Sequence, residues 1–571
     1  MSAVLAHVGA GPVPALRSRL IPRESVVATA LIAALCLVLV VIIALPLWAL
    51  LAKSVEDGSG RFVGLANFVR YFSTPTLVAS LGNSLVMAGL TTVIVVPVAF
   101  AYAYALTRSC MRLKPVFYGL ALIPVFAPSL LTAIALTYIF GNQGLIRGLL
   151  GSATIYGPIG IVMAESLYCF PHALLILVTS LALADGRLYE AASALGTSRL
   201  RVFRTVTLPG ARYGLVSAAF VVFTLVVIDF GVPKVIGGQF NVLATDAYKQ
   251  VIGQHNFPMG AVVGLLMLLP AAIAFGVDRF IRRQQRALLT ARSVPYVPRP
   301  RRGRDFGLLL FCCSIAGLML ATYGVAVWAS FIRYWPYNMS LTLANYDFAN
   351  TDPDGWEPYL NSLKMAGLVA AIGPVLILGG AYLVEKVKAF PFGRGLAQLL
   401  AMLPLAVPGL VLGLGYVFFF NAAANPLNAL YGTFPLLAIN TLAHYYTVMH
   451  VTATTALKQI DGEFEAVSAS LRVPFWTTFR RVTLPICLPT VVNMAVYLFT
   501  TAMTTVSSAI FLYGPGTKLA AVAIVHMDEA GTTAAAAAMA TLILATAMAA
   551  RVVAILSEHY VFGRLQRWRG R

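Results

Sequence analysis

The sequence predicts an all-α membrane protein: twelve transmembrane helices in two tandem six-helix halves of parallel topology. Three observations predict it. Of 571 residues, 59% are hydrophobic and only 11% charged, where a soluble domain carries about a quarter charged residues. Apolar stretches long enough to cross hydrocarbon recur along the whole chain. The second half also repeats motifs of the first at near-constant spacing.

In the first half the apolar stretches are 26–52, 83–107, 116–140, 156–183, 214–232 and 259–281. In the second they are 307–331, 361–384, 396–420, 434–457, 487–511 and 532–556. The first follows Arg17, Arg19 and Arg23. Such a charge pattern also precedes secretory leaders, but a leader's apolar region is short, whereas 26–52 can span a bilayer and is expected to be retained. Residues 1–25 and 557–571 are then basic tails. Residues 282–306, rich in Arg and Pro, cannot sit in hydrocarbon and are expected to link the halves.

The net charge of +20 is distributed in short runs between spans. That is not the basic face of a nucleic-acid-binding domain. With both termini placed in the cytoplasm, 32 of the 41 Lys and Arg residues fall on cytoplasmic segments and nine on the outside, as the positive-inside rule requires. An even number of spans per half gives the halves the same orientation, related by an axis along the membrane normal.

The repeat is read most directly in polar segments. Asn83-Ser84-Leu85 opens the second span and Asn361-Ser362-Leu363 the eighth; Pro124 and Pro128 in the third span match Pro404 and Pro408 in the ninth. Residues 179–209 align without gaps to 455–485. Within that alignment Val206-Thr207-Leu208-Pro209 equals Val482-Thr483-Leu484-Pro485.

The first of these polar loops reads Glu190-Ala191-Ala192, then Gly196, then Leu208-Pro209. This is the EAA signature, and the chain resembles, over essentially its whole length, a fused type I ATP-binding-cassette (ABC) importer permease. Small Ala191 and Ala192 permit close approach to a partner. Glu190 suits a helix N-terminus or an ion pair, Gly196 a helix break, and Pro209 the start of the next helix. The resemblance implies a first permease domain over 26–281 with its EAA loop at 184–213, and a second over 307–556 with an EAA-like loop at 458–486. It implies that each loop docks on a cytoplasmic ATP-binding subunit, homodimeric or paired, and that an extracytoplasmic binding protein delivers a small-molecule substrate. The setting it implies is a bacterial inner membrane. The second loop departs from the pattern. Ala466 replaces the Glu, Arg472 replaces the Gly, and Glu465 sits one position early, followed by Ala466 and Val467, while Leu484-Pro485 is intact. Whether Glu465 takes the place of Glu190 stays open here, and unequal contacts with the ATPase are expected.

No phosphate-binding loop occurs: Gly514-Pro515-Gly516-Thr517-Lys518 lacks the Gly before Lys. ATP and magnesium are therefore expected to act on a partner subunit, with no cofactor or catalytic residue in this chain. The six cysteines lie in or beside apolar stretches without a CxxC pair, so no metal site is expected.

Charged or polar groups inside spans are candidates for a substrate path. Glu165, His172, Asp229 and His444 are the candidates, each with a plainer reading as an interhelical hydrogen-bonding group. His450 reads more readily as a bundle residue, and Arg551 as an interfacial anchor. Fused permeases of this kind serve ferric iron, thiamine and 2-aminoethylphosphonate. Residues 231–266 and 502–531 resemble the 2-aminoethylphosphonate group most, so that cargo is expected, with ferric iron or thiamine as alternatives. An ion-coupled secondary transporter using Glu165 and Asp229 is the competing mechanism. It gives no reason for two EAA loops.

Overall fold

A computed structural model describes residues 22–288, 294 and 296–557. The expected tails 1–25 and 557–571 and the middle of the linker lie largely outside the described residues. Among those described, the only sheet is a two-stranded hairpin, Ile332–Tyr334 with Asn338–Leu341. Everything else of regular structure is helical.

Each of the twelve expected stretches is mostly helix, and among the described residues eight single helices are long and apolar enough to cross a membrane, or ten with the two bent pairs counted as one span each. In the first half these are α1 (Glu24–Ser54), α2 (Pro75–Arg108), α3 (Lys114–Phe126) with α4 (Ser129–Phe140), α5 (Pro158–Ala182), α7 (Arg199–Ile228) and α10 (Phe257–Leu288). Between α5 and α7 lies the short loop helix α6 (Gly186–Ala194), and between α7 and α10 lie α8 (Gly231–Ile236) and α9 (Leu243–Tyr248). The second half repeats the order: α11 (Arg302–Ser330), α12 (Glu357–Glu385), α13 (Pro391–Ala406) with α14 (Gly409–Phe420), and α15 (Phe434–Lys458). The loop helix α16 (Glu463–Ser470), α17 (Phe475–Thr504), the short α18 (Ala520–Glu529) and α19 (Thr533–Ser557) complete it.

Three expectations are corrected. The third and ninth spans are not single helices: α3 and α4 meet at a bend of 101°, α13 and α14 at 116°. The prolines explain it. A residue before Pro is pushed out of the α region, and Ala127 before Pro128 (φ −101°, ψ 142°) and Val407 before Pro408 (φ −108°, ψ 114°) are both extended. Leu208-Pro209 does not restart the chain, because α7 is continuous helix from Arg199 through a π turn at Phe203–Thr207. The wider i→i+5 pairing accommodates the missing N–H and the ring of Pro209. The same π turn occurs at Phe479–Thr483, before Pro485. The linker is also shorter than 282–306, since α10 runs to Leu288 and α11 starts at Arg302.

Within each half three long helices form the centre: α2, α5 and α7 in the first, α12, α15 and α17 in the second. Around them the halves exchange helices. Helix α1 packs along the bent pair α13/α14, and α11 along the bent pair α3/α4. The outer helices follow the same rule, α10 against α14 and α19 against α4. Tyr416 donates to the carbonyl of Ile42 at 2.7 Å, and Thr132 and Tyr323 share a hydroxyl hydrogen bond of 2.8 Å. Both satisfy polar groups that hydrocarbon would leave unpaired.

The repeated Asn-Ser pairs have a structural purpose. Ser84 Oγ accepts from Leu243 N, and Ser362 Oγ from Ala520 N, each at 2.8 Å. Leu243 and Ala520 are the first residues of α9 and α18, whose leading N–H groups need acceptors. Asn83 and Asn361 donate to backbone carbonyls just upstream, at Asn241 and at Gly516 and Lys518.

Two positions test this packing. A Cβ at Gly415 would lie 2.6 Å from the carbonyl oxygen of Pro46, so Gly415→Ala forces α14 off α1. We expect it to cost about 1–3 kcal/mol, measured as earlier thermal unfolding of the purified chain. Arg472 closes α16 in the left-handed region at φ +54°, where Gly196 closes α6 at φ +64°. A residue with a Cβ is disfavoured there by about 1–2 kcal/mol, so Arg472→Gly should raise the unfolding midpoint.

Candidate functional site: two loop helices and a polar seam

The two loop helices stand at the same end of the bundle, six spans apart. Each begins on an aspartate: Asp185 accepts from Arg187 N at 3.0 Å and Asp461 from Glu463 N at 3.1 Å, satisfying an orphan donor. Glu190 and Ala191 are exposed on α6 while Ala192 is buried beneath them. Leu208 and Pro209 are exposed at the base of α7. On the second loop Ala466 and Pro485 are exposed and Leu484 is half-buried. Large apolar side chains project at equivalent places: Leu188, Leu195 and Leu200 on the first loop, Phe464, Leu471 and Trp476 on the second. Apolar groups clustered at the polar end of a membrane bundle mark a contact surface.

Glu465 is not placed like Glu190. It turns back to the bundle and pairs with Lys386 at 3.1 Å. In the repeat register Glu465 matches Tyr189, and Tyr189 lies against Arg108, the counterpart of Lys386, with the guanidinium 5.2 Å from its ring centroid. A basic residue at the end of the second span thus holds the loop helix in both halves, through an aromatic face in one and a carboxylate in the other. The slipped glutamate fills the tyrosine's place. Arg108, Tyr189 and Lys386 were not singled out from the sequence; the register alignment held the signal, since Tyr189 and Glu465 share a column.

Inside the bundle the structure brings Glu165 and Asp229 together. Their carboxyl groups interact, with Cys169 Sγ 3.7 Å from Glu165 and Ser129 beside Asp229. Asp229 ends α7, and its Oδ2 accepts from Val232 N at 2.8 Å. His172 packs on Tyr168, ring centroids 5.8 Å apart. Tyr168 lies within electrostatic range of Tyr445 of the other half, and the Tyr445 and His444 rings are 4.6 Å apart. The structure thus joins Glu165 to Asp229, while His172 lies further along α5 and His444 on α15 of the other half. In the repeat register Glu165 and Asp229 correspond to Thr441 and Thr505, so the acidic pair exists in the first half only. His450 bonds Gln398 at 3.0 Å and Arg551 bonds Asn493 at 3.3 Å, both within the second half.

The opposite end carries polar ties that sequence reasoning missed, because they join residues far apart in the chain. Lys234 pairs with Glu529 across the halves and lies 4.6 Å from the Tyr248 ring centroid. Lys518 pairs with Asp352 at 2.9 Å and Asp354 at 3.1 Å. Burial disfavours its charge, but the hydrogen bonds and charges of the two aspartates prevail and its pKa is raised.

Comparison with known proteins accords with this geometry. Residues 96–287 and 373–560 each match the family described as binding-protein-dependent transport system inner membrane component. A ferric transport system permease protein of Actinobacillus pleuropneumoniae is 27% identical, over 84% of this chain and 71% of its own length. An Fe(3+)-transport system permease protein of Haemophilus influenzae is 24% identical, over 81% of this chain and 86% of its own. A spermidine/putrescine transport system permease protein of Haemophilus influenzae matches 40% of this chain at 24% identity, over 85% of its own length. With two matched segments covering most of its length, the chain belongs to the inner-membrane permease components of binding-protein-dependent ABC transporters.

Proposed function

We propose that this chain forms the whole translocation path of an importer, with α6 and α16 docking on two cytoplasmic ATP-binding subunits and the Lys234–Glu529 end facing an extracytoplasmic binding protein. The observation that carries it is the pair of loop helices, 276 residues apart in register, with exposed apolar side chains at matched positions. In this reading both termini are cytoplasmic, the domains divide near 281 and 307, and ATP with magnesium is handled by the partner subunits. An ion-coupled mechanism leaves the two loop helices without a use.

For the cargo we propose 2-aminoethylphosphonate, from the likeness of residues 231–266 and 502–531 to that permease group. Its ammonium suits the Glu165–Asp229 pair. The second reading is ferric iron. It is favoured by the ferric permeases among the relatives and by the same carboxyl pair, since hard cations prefer oxygen ligands. ATP hydrolysis in liposomes, with the ATPase and binding protein added, separates these readings. Stimulation by 2-aminoethylphosphonate alone supports the first, stimulation by ferric iron alone the second, and stimulation by neither withdraws both.

Glu190→Lys should lower ATP-coupled uptake at least tenfold with unchanged thermal stability, because Glu190 is exposed and holds no part of the bundle. Glu465→Gln should have a smaller effect on uptake, acting by loosening α16 from Lys386. Equal losses in the two variants, measured with co-purification of the ATPase, would count against this division of roles.

A further inference from the structure

Beside the first loop helix the chain closes a cleft of about 320 Å³ that has no place in the proposed transport path. Its floor is α6 and its cover is the stretch before α11. The cover is held in place: Gly186 N donates to Val294 O at 2.7 Å, and Tyr296 packs on Tyr189 with centroids 4.4 Å apart. Five guanidinium groups line the cleft, those of Arg108, Arg199, Arg299, Arg301 and Arg304, against the single carboxylate of Glu190. Arg304 is paired with Asp305. Among the described residues no ion pair engages the other four.

Arg108 is the decisive group. It is 3% exposed, its Nη2 donates to Leu181 O at 2.6 Å, and its Nε has no hydrogen-bond partner. Its guanidinium lies 4.6 Å from the Tyr296 ring centroid and 5.2 Å from that of Tyr189. A buried cation with an orphan donor, set against a pair of neighbouring aromatic rings and lining a basic cleft, lacks a counter-anion. In the second half the corresponding cation has a carboxylate beside it, for Lys386 pairs with Glu465.

We infer that this cleft binds a phosphate- or phosphonate-type oxyanion, one per chain, clamped between the first loop helix and the linker. Several guanidinium forks around a small volume match a tetrahedral dianion, which accepts from more than one fork at once. The volume holds a single such group with water. The ligand is either a free anion or the headgroup of an anionic lipid, since the cleft opens at the end of the spans. Bound there, it ties 296–304 to α6 and so fixes the position of the first loop helix only. The inference needs no assumption about cargo.

The test uses the full chain in nanodiscs. In discs of phosphatidylcholine alone, inorganic phosphate is titrated calorimetrically at constant ionic strength, with chloride as the control. In discs containing phosphatidic acid, native mass spectrometry counts lipids retained per chain. The variant is Arg299→Gln with Arg301→Gln, both exposed and outside the spans, and circular dichroism melting confirms its fold. Arg199→Gln is a second, independent variant. Saturable binding of one phosphate, weakened about tenfold or more in the variants, establishes the site with a free anion as ligand. One retained phosphatidic acid, lost in the variants, establishes it with a lipid headgroup. Failure of the wild type to bind in either arm overturns the proposal, as does binding that the variants leave unchanged. Loss of only ATPase co-purification in the variants also overturns it, because the arginines would then serve a protein contact.

Discussion

The structure depends on the contact between each half's first helix and the other half's broken one. A bent pair such as α13/α14 interrupts the helical ladder within the membrane region. The backbone freed at the bend needs cover that lipid cannot give. Helices of both halves supply it: at the second bend Leu403–Ala406 packs on α15 of its own half and on α10 of the other. Gly415 lets the α14 backbone meet the carbonyl of Pro46, and Gly413 lets it approach the carbonyl of Ser508, where a Cβ would lie 2.7 Å away. Each bend is covered partly by helices of the other half, so the fused chain is one packing unit although its sequence is a duplication.

Much of this was legible. The twelve segments follow from hydropathy, and the duplication follows from the Asn-Ser pairs, the Pro spacings and the polar loops. The prolines were visible, but their consequence was not. Proline inside an apolar run is compatible with a kinked continuous span, and a bend of over 100° is set by packing among helices of both halves. The continuity of α7 was hidden for the opposite reason. Leu208-Pro209 reads as a helix start by local rules, and a π turn is a five-residue adjustment with no composition of its own. The ties at Lys518 and Lys234 bring together residues up to about 300 positions apart, beyond the reach of any periodic pattern.

The two halves keep their backbone and differ in chemistry. The caps, the π turns, the Ser-to-N–H tethers and the left-handed loop-helix ends all recur, even where Arg472 must adopt a conformation that suits Gly196. Several ionisable groups do not recur. Glu165 and Asp229 have threonines as counterparts, Tyr168 has His444, and Tyr189 has Glu465. Geometry that satisfies backbone polar groups has few solutions in lipid, so both copies share it. Side chains lining the seam or holding a loop face different neighbours in each copy and are free to diverge. The asymmetry foreseen from the missing glutamate at 466 is therefore wider than one residue, and it reaches the centre of the bundle.

Helix α7 relates the two ends of that asymmetry. It is helical without interruption from Arg199, beside α6, to Ile228, one residue before Asp229. Packed helices shift as rigid bodies more readily than they deform. A displacement of the first loop helix would thus be carried along α7 to the carboxyl pair at the seam. In the second half α17 runs the same course from Phe475 to Thr504 and delivers Thr505. The same lever ends on an acid in one half and on a hydroxyl in the other. Equal motions at the two loops would consequently move unequal charge at the seam. The holding contacts at the loops differ in the same sense: Lys386 is neutralised by Glu465, while Arg108 lies against aromatic rings with its charge unmatched.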